Sequence, residues 1–553
     1  MRPRLVARAR LLRSFLPGRD DFAAYRLSPW GDLLAGLTVA IVALPLALAF
    51  GVASGLGAAA GITTAVIAGA IAAVFGGSNL QVSGPTGAMT VVLLPVVHDF
   101  GATGVLQVGI MAGIILLILA LSGVGRYVRY LPTSLVEGFT AGIAVVIALQ
   151  QLPNMLGLEP SDDERVWAIA WDAVVRFVQA PDPVPLVIAL GVAGIMIAGS
   201  RWKPSLPVSL AAVALATVVA KFTGIDVPLV GELPSAIGAP TLDFLDPSLT
   251  VALLPSAFAV AALAALESLL CATVADSMSV GQRHNPDREL FGQGLANLIV
   301  PVFGGVPATA AIARTAVNVR AGARSRLASL SHAAILLAFM LIAAPIVGGI
   351  PLAALGGVLL ATTVHMVQGG AIRAILRSTK ADAFVLVVTF VVTVSIDLVA
   401  AVVLGLALAG LLALRAISRD ARLEQVALER GDHSEEEAEL LSEHIVAYRL
   451  EGALFFGAAH RFLLELTEVA DVSVIILRMS RISTIDATGA AMLDDAITRL
   501  EQRGIVVLLS GIKPGHERVL TALGSAGRLR EAGRVFPDTP YAIAHARDLI
   551  ADL

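Results

Sequence analysis

Cysteine is almost missing from this chain. The one present, Cys271, excludes a disulfide within the chain and gives no sign of a metal cluster. It stands in an apolar run, where a small buried hydrophobe is its ordinary role. Charge is scarce too: Asp, Glu, Lys and Arg make up 15% of the 553 residues, whereas a soluble domain carries about a quarter. No phosphate-cradling Walker pattern and no metal-ligand cluster occurs, so neither a cofactor nor catalysis is expected. The net charge of −4 says little because its distribution is uneven, and no nucleic-acid partner is expected. The opening stretch, MRPRLVARARLLRSFLPGRD, is arginine-rich and amphipathic, and it lacks the central apolar block of a secretion signal.

What the chain has is apolar length. Hydrophobic residues make up 57% of it, the mean hydropathy is +0.83, and apolar runs dominate from residue 33 to residue 414. Membrane spans are predicted at 31–54, 58–75, 103–124, 131–152, 183–200, 205–222, 250–273, 291–303, 327–347, 351–368, 382–396 and 397–414. Two further segments, 85–98 and 307–319, are short. At about 1.5 Å per residue they reach little past half of a ~30 Å hydrocarbon layer. The count is fourteen, with the short segments third and tenth.

Loop charge gives an independent check. With a cytoplasmic N-terminus, the inner loops collect Arg126, Arg129, Arg201, Lys203, Arg283, Arg288, Arg320, Arg324, Arg326, Arg373, Arg377 and Lys380, and Arg415 and Arg419 follow the last span. The outer loops are acidic, with Asp99, Asp162, Asp163, Glu164, Asp226, Glu232, Asp243 and Asp246. Their basic residues are few: Arg165, Arg176 and Lys221. This is the positive-inside pattern, with both termini cytoplasmic.

Both short segments open on a Gly/Pro break, SGPTG at 83–87 and GGVPATA at 304–310. Each is third in a half of seven, and an odd number of spans per half inverts one half relative to the other. Paired interruptions at corresponding positions point to a binding site near the midplane. Arg314 stands in the second of these segments. A guanidinium there costs about 2.5–3.5 kcal/mol on insertion scales and faces a cavity or a partner rather than lipid. Beside the positive end of a half-helix it favours an anion.

At VSGPTGAMTVV (82–92), LESLLCATVADSM (266–278) and PATAAIARTAVNVRAGARSR (307–326), the chain resembles the sulfate permease (SulP) family, bacterial relatives of prestin and pendrin. The likeness runs from DLLAGLTVAIVALPLALAFG (32–51) to the C-terminal domain. It implies a polytopic α-helical membrane protein of 14 segments in a 7+7 inverted repeat, with half-helices third and tenth. A core of segments 1–4 and 8–11 moves against a gate of segments 5–7 and 12–14. The resemblance also implies a homodimer and a small cytoplasmic α/β STAS domain. Carried over residue by residue, the anion site comprises Phe50 of the first segment, Thr86 after the Gly-Pro break, Ala308, Thr309 and Ala310 at the start of the tenth helix, and Arg314. Leu46 replaces a glutamine common after the first-segment proline, and Ala313 replaces a serine common before the arginine. Backbone N–H groups then carry more of the coordination.

Glu267 is the second intramembrane charge, and two readings stand: a carboxylate coupling a proton or sodium ion, or a structural ion pair with Arg314. Asp276, near the inner end of that segment, reads as solvated or gate-side, and Glu137 as interfacial. Asn297 and Asn318 are expected to bond between helices.

Residues 1–30 read as a cytoplasmic amphipathic segment, 31–414 as the transporter domain, 415–444 as a linker with an acidic cluster at 433–444, and 445–553 as the STAS-like domain. Short β-branched strands alternate with amphipathic helices there, as in a small α/β domain with one covered sheet face. Asp486, Thr488 and Gly489 match the turn where free-standing STAS relatives can be phosphorylated, and Thr488 is the matching hydroxyl. A threonine ahead of a helix is ordinarily an N-cap.

Taken together, the residues point to a secondary transporter of a small anion (sulfate, bicarbonate or a dicarboxylate) in a bacterial inner membrane, with proton coupling favoured over sodium. It requires no cofactor beyond the coupling ion, and a cytoplasmic regulator is expected at the STAS domain. A nucleobase carrier of the same fold and a membrane-anchored STAS signalling protein are the alternatives.

Overall fold

The computed structural model describes residues 15–18, 21, 25, 28–130, 132–161, 163, 165–202, 208–231, 236–279, 282–396, 398–420, 422–425, 444–454, 472–522 and 525–551. Most of the amphipathic N-terminal segment, the acidic cluster but for His444, and Asp162, Glu164, Lys203 and Glu232 lie outside the described residues. The chain divides into two compact units, Met1–Leu406 and Ala407–Leu553.

The first unit is helical. Its helices are α1 (Pro29–Ala53), α2 (Ala58–Phe75), α3 (Gly87–Ser122), α4 (Thr133–Gln150), α5 (Leu152–Leu156), α6 (Val166–Gln179), α7 (Pro183–Trp202), α8 (Val208–Thr223), α9 (Thr250–Met278), α10 (Pro286–Ile299), α11 (Ile312–Arg320), α12 (Leu327–Gly348), α13 (Leu352–Met366), α14 (Gly369–Arg377), α15 (Lys380–Ser395) and the start of α16 (Leu398–Asp420), whose residues from Ala407 on fall in the second unit. Two short strands, β1 (Ser83–Gly84) and β2 (Thr309–Ala310), precede α3 and α11. Among the described residues, eight helices are long and apolar enough to cross a membrane, and shorter apolar ones lie at Val208–Thr223 and Ala400–Arg415.

The expected segments fall on these helices with two departures. The third and fourth form one helical run, α3, bent where Gly101 adopts φ +65°. Two helices were not expected from apolar runs, α6 and α14. Both are amphipathic: α6 holds Asp172 and Arg176 in an i,i+4 ion pair at 2.6 Å, and α14 carries Arg373 and Arg377. A hydropathy window averages such a pattern away, whereas a helix resolves it into faces.

Packing sorts the helices into two sets. In one, α3 lies against α9 and α10, and α1 and α2 pack on each other and on α12. In the other, α4 pairs with α15 and α13 with α7. Lipid supplies no hydrophobic drive between helices, so small residues set the approach. A Cβ on Gly61 of α2 would stand 2.0 Å from the Ala47 carbonyl of α1, and one on Gly138 of α4 would stand 2.5 Å from that of Leu386 on α15.

The second unit holds a sheet of β3 (Arg422–Gln425), β4 (Ile445–Leu454), β5 (Val474–Arg478), β6 (Ile482–Ile485), β7 (Val506–Ser510) and β8 (Val535–Phe536). The order is β3-β4-β5-β7-β8 with β6 on β4; β3 runs antiparallel and the other pairings are parallel. Strand β3 falls in the stretch expected to be linker. Its helices are α17 (Ala487–Gln502), α18 (Pro514–Ala522), α19 (Ser525–Glu531) and α20 (Thr539–Ala551). Leu493, Ile497 and Leu500 of α17 pack with Ile475, Leu477, Val507 and Leu509. On the opposite face, Val474, Ile476 and Leu508 meet Ala542 and Ala546 of α20. The sheet is therefore covered on both faces, not one, as a continuously apolar central parallel strand requires.

Candidate functional site

The two broken segments meet at β1 and β2. These strands pair antiparallel, Ser83 with Ala310 and Gly84 with Thr309. From this crossing α3 and α11 each start within three residues of their strand, at Gly87 and at Ile312. Neither N-cap residue, Thr86 for α3 or Ala311 for α11, caps its helix with a side chain. The first N–H groups of a helix have no intrahelical partner and carry the positive end of its dipole.

Arg314 is the third residue of α11 and 1% exposed. Its Nη2 donates to the Pro85 carbonyl, in the Gly-Pro break of the other half. Its Nη1 is buried with no hydrogen-bond partner among the described residues. The guanidinium lies on the bare backbone of Gly84, where a Cβ would stand 2.5 Å from Nη1 and 3.3 Å from the Ala65 Cα. Gly87 is equally constrained, since a Cβ there would meet Ile147 Cδ1 at 2.2 Å and Phe50 Cε1 at 3.0 Å. The buried ring of Phe50 therefore lies over the first residue of α3.

Thr86 does not cap α3; its hydroxyl donates to Glu267 Oε2 of α9 at 3.0 Å. Among the described residues no ion pair within 4.0 Å joins Glu267 to Arg314. The glutamate is thus bonded to the third segment through a hydroxyl, and the guanidinium acts on it through charge at longer range and not through direct contact.

The expectation for residues 308–310 needs correction. They do not open the tenth helix, because α11 starts at Ile312. Ala308 donates its N–H to Asn297 Oδ1 at 2.8 Å, and its carbonyl accepts from Asn297 Nδ2 at 2.8 Å. The Ala310 N–H goes to Ser268 Oγ at 3.3 Å. The Thr309 side chain is fully buried, bonded to Ser268 Oγ at 2.9 Å and to the Ala264 carbonyl at 3.2 Å. The uncapped N–H groups of this half belong to residues 312–314.

Asn297 and Asn318 do bond between elements, the latter to the Leu80 carbonyl at 2.8 Å. Asp276 sits apart from the crossing and binds His284 Nδ1 at 2.7 Å. Glu137 is partly buried on α4. Sequence reasoning missed Ser268, which holds both Thr309 and the Ala310 N–H, and on α10 it singled out Asn297 but not Glu289 and Gln293 of the same face. That face had a signal: Glu289, Gln293 and Asn297 recur every four residues, and the other residues from Leu290 to Ile299 are apolar or glycine.

In the second unit, Asp486 rather than Thr488 caps α17, accepting the Gly489 N–H at 2.7 Å. Thr488 is exposed one position into the helix's first turn. Gly489 has a packing role, since a Cβ would stand 2.2 Å from the Leu454 carbonyl.

Fold and crossing first define a class, the helical membrane transporters with two broken segments. Residues 30–389 match the sulfate permease family and residues 440–539 the STAS domain, and the chain belongs to the sulfate permease family. The candidate sulfate transporter YvdB of Bacillus subtilis is 33% identical over 515 residues, covering 91% of this chain and 95% of that protein. The bicarbonate transporter BicA of Synechocystis sp. is 31% identical over 513 residues, 89% of this chain and 90% of its own. Among solved structures, the transmembrane domain of a cyanobacterial BicA superposes with a TM-score of 0.62 at 34% identity, over 68% of this chain and 98% of that one. Murine Solute Carrier 26 family member A9, inward-facing, gives 0.81 at 18% identity over 94% and 91%, a likeness of fold alone.

Proposed function

We propose that the protein is a secondary active transporter of a small anion in a bacterial inner membrane, with both termini cytoplasmic. The anion binds between the N-terminal ends of α3 and α11, against Arg314, with Phe50 as a wall. Sulfate, bicarbonate and small dicarboxylates are the substrate class, the first two in keeping with the names of the relatives. The set containing α1–α3 and α9–α12 forms the moving core, and α4, α7, α8, α13, α15 and α16 form the gate. Transport proceeds by displacement of core against gate within a homodimer. A cytoplasmic regulator engages the turn at Asp486, Thr488 and Gly489, where negative charge suits the start of α17.

The single observation that carries this reading is Arg314, buried with Nη1 unpartnered among the described residues, beside two helix starts that lack side-chain caps. Proton coupling follows from Glu267. An ionised carboxylate beside an anion site repels the anion, and protonation removes that charge, so each binding event favours the other. Inward proton movement then drives the anion against an inside-negative potential, which costs about 2.3 kcal/mol per charge per 100 mV.

Uptake of labelled sulfate, bicarbonate and fumarate into proteoliposomes, with and without an inward proton gradient, tests this. Wild type is expected to concentrate one of them, and Glu267→Gln is expected to lose the gradient's effect. Uptake indifferent to both would leave sodium coupling or exchange, and competition by uracil alone would favour a nucleobase carrier.

A further inference from the structure

The polar face of α10 touches neither the proposed anion site nor Glu267 in any hydrogen bond, yet it holds the backbone leading into both half-helices. Glu289 is 1% exposed. Its Oε2 accepts the N–H groups of Gly77 and Ser78 at 2.8 and 3.0 Å, and its Oε1 accepts Gln81 Nε2 and Gln293 Nε2 at 2.9 and 3.0 Å. Four donors converge on one group that can only accept, which makes these the stronger, charge-assisted kind of bond. One turn further along, Gln293 Nε2 also donates to Ser83 Oγ at 2.7 Å, at the start of β1. Another turn on, Asn297 brackets Ala308 through both its N–H and its carbonyl, just ahead of β2.

The turn from α2 to β1 is held from its other side as well. Arg326 donates through Nη1 to the carbonyls of Ala73 and Gly76 at 3.1 and 2.6 Å. A cation there suits the negative end of α2. Carbonyls are thus taken by Arg326 and N–H groups by Glu289, so the turn has little freedom to slide along the membrane normal. The height of β1 fixes Gly84 and Pro85, which seat Arg314.

We infer that Glu289, with Gln293 and Asn297 one and two turns on, is a positioning stripe that sets the heights of both half-helix starts and thereby the affinity of the anion site. The inference rests on the transport reading above, and it assigns these residues no contact with substrate. Orientation of the amides follows from chemistry: facing a carboxylate, both glutamines must present nitrogen.

Glu289→Gln tests it, because it turns one acceptor into an N–H facing two amide donors while keeping shape. Purified variant and wild type are compared in proteoliposome uptake, and hydrogen exchange is followed at residues 76–83 and 305–311. The half-saturating anion concentration is expected to rise about tenfold with the maximal rate little changed, as when uniform binding is lost. Exchange at 76–83 is expected to accelerate by a similar factor. Adding Gln81→Glu gives the amide introduced at position 289 an acceptor and is expected to return affinity to within about twofold of wild type. Unchanged affinity in Glu289→Gln, or a double variant no better than the single one, overturns the inference while wild-type transport stands. If wild type moves none of the anions, the transport reading falls, and unchanged exchange in the variant then overturns the stripe independently.

Discussion

The two arms of the crossing share a plan, a two-residue strand followed by a helix, and carry opposite equipment. The third-segment arm opens on Thr86 and Gly87 and carries no charge in its first turn, and its hydroxyl is turned to Glu267. The tenth-segment arm carries Arg314 in its first turn, and the strand before it is tied down by Asn297 and Ser268. One arm supplies bare backbone and a link to a carboxylate; the other supplies fixed charge. Because Arg314 lies on Gly84 and donates to Pro85, the charge of one arm is seated on the break of the other. An inverted repeat therefore need not give a symmetric site: the fold duplicates the two dipole ends, and side chains decide which half holds the cation.

Removing the charge breaks this comparison most severely. Arg314→Ala leaves two dipole ends alone, and anion uptake in proteoliposomes is expected to fall at least about 100-fold. Arg314→Lys keeps charge without the planar fork and is expected to fall between the two. Next comes the seat. Gly84→Ala puts a methyl 2.5 Å from the guanidinium, and uptake is expected to drop about tenfold in a protein that still elutes as a folded species. Thr309→Ala, at the paired position of the other arm, loses its bonds to Ser268 and to the Ala264 carbonyl but puts nothing against the guanidinium, and is expected to have the smaller effect. Equal losses from these two would mean that the arms share the seating of charge.

The smallest expected effect is at the turn that leads into the third arm. Asp21 pairs with Arg288 at 2.9 Å and Arg326 at 3.3 Å, and Arg326 holds the turn into β1. Burial pushes the Asp21 carboxyl up, but the hydrogen bonds from Arg288 and the Gly18 N–H and the charge of Arg326 prevail and hold it below its ordinary 3.8. A depressed carboxyl stabilises the fold above its unfolded value, and that contribution disappears as pH falls through the lower folded value. Asp21→Asn is expected to lower thermal stability at neutral pH by about 1 kcal/mol or less, given solvent screening, with the difference vanishing in acid. A deficit that persists in acid would assign Asp21 a packing role instead.

Much of this architecture could be read from the sequence, because a bilayer imposes local rules. Span positions follow from apolar length, and the two breaks from the Gly/Pro signatures at 83–87 and 304–310. Arg314 stood out for the same reason. What escaped depended on partners distant in sequence. Residues 308–310 look like a helix start until β1 arrives from the other half and pairs with them as β2. Asp486 and Thr488 both suit an N-cap by type, and only geometry gives the role to Asp486. Amphipathic α6 and α14 were hidden by their own charges. Glu289, Gln293 and Asn297 were legible as a four-residue repeat, but their partners at 77–83 and 308 were not.

The most direct test of the charged-arm site is equilibrium binding of the transported anion to purified protein, wild type against Arg314→Gln, with Gly84→Ala alongside. Affinity should fall at least about 100-fold in Arg314→Gln and less in Gly84→Ala, with both proteins folded. Undiminished binding in Arg314→Gln would place the anion elsewhere and contradict a site built on that guanidinium.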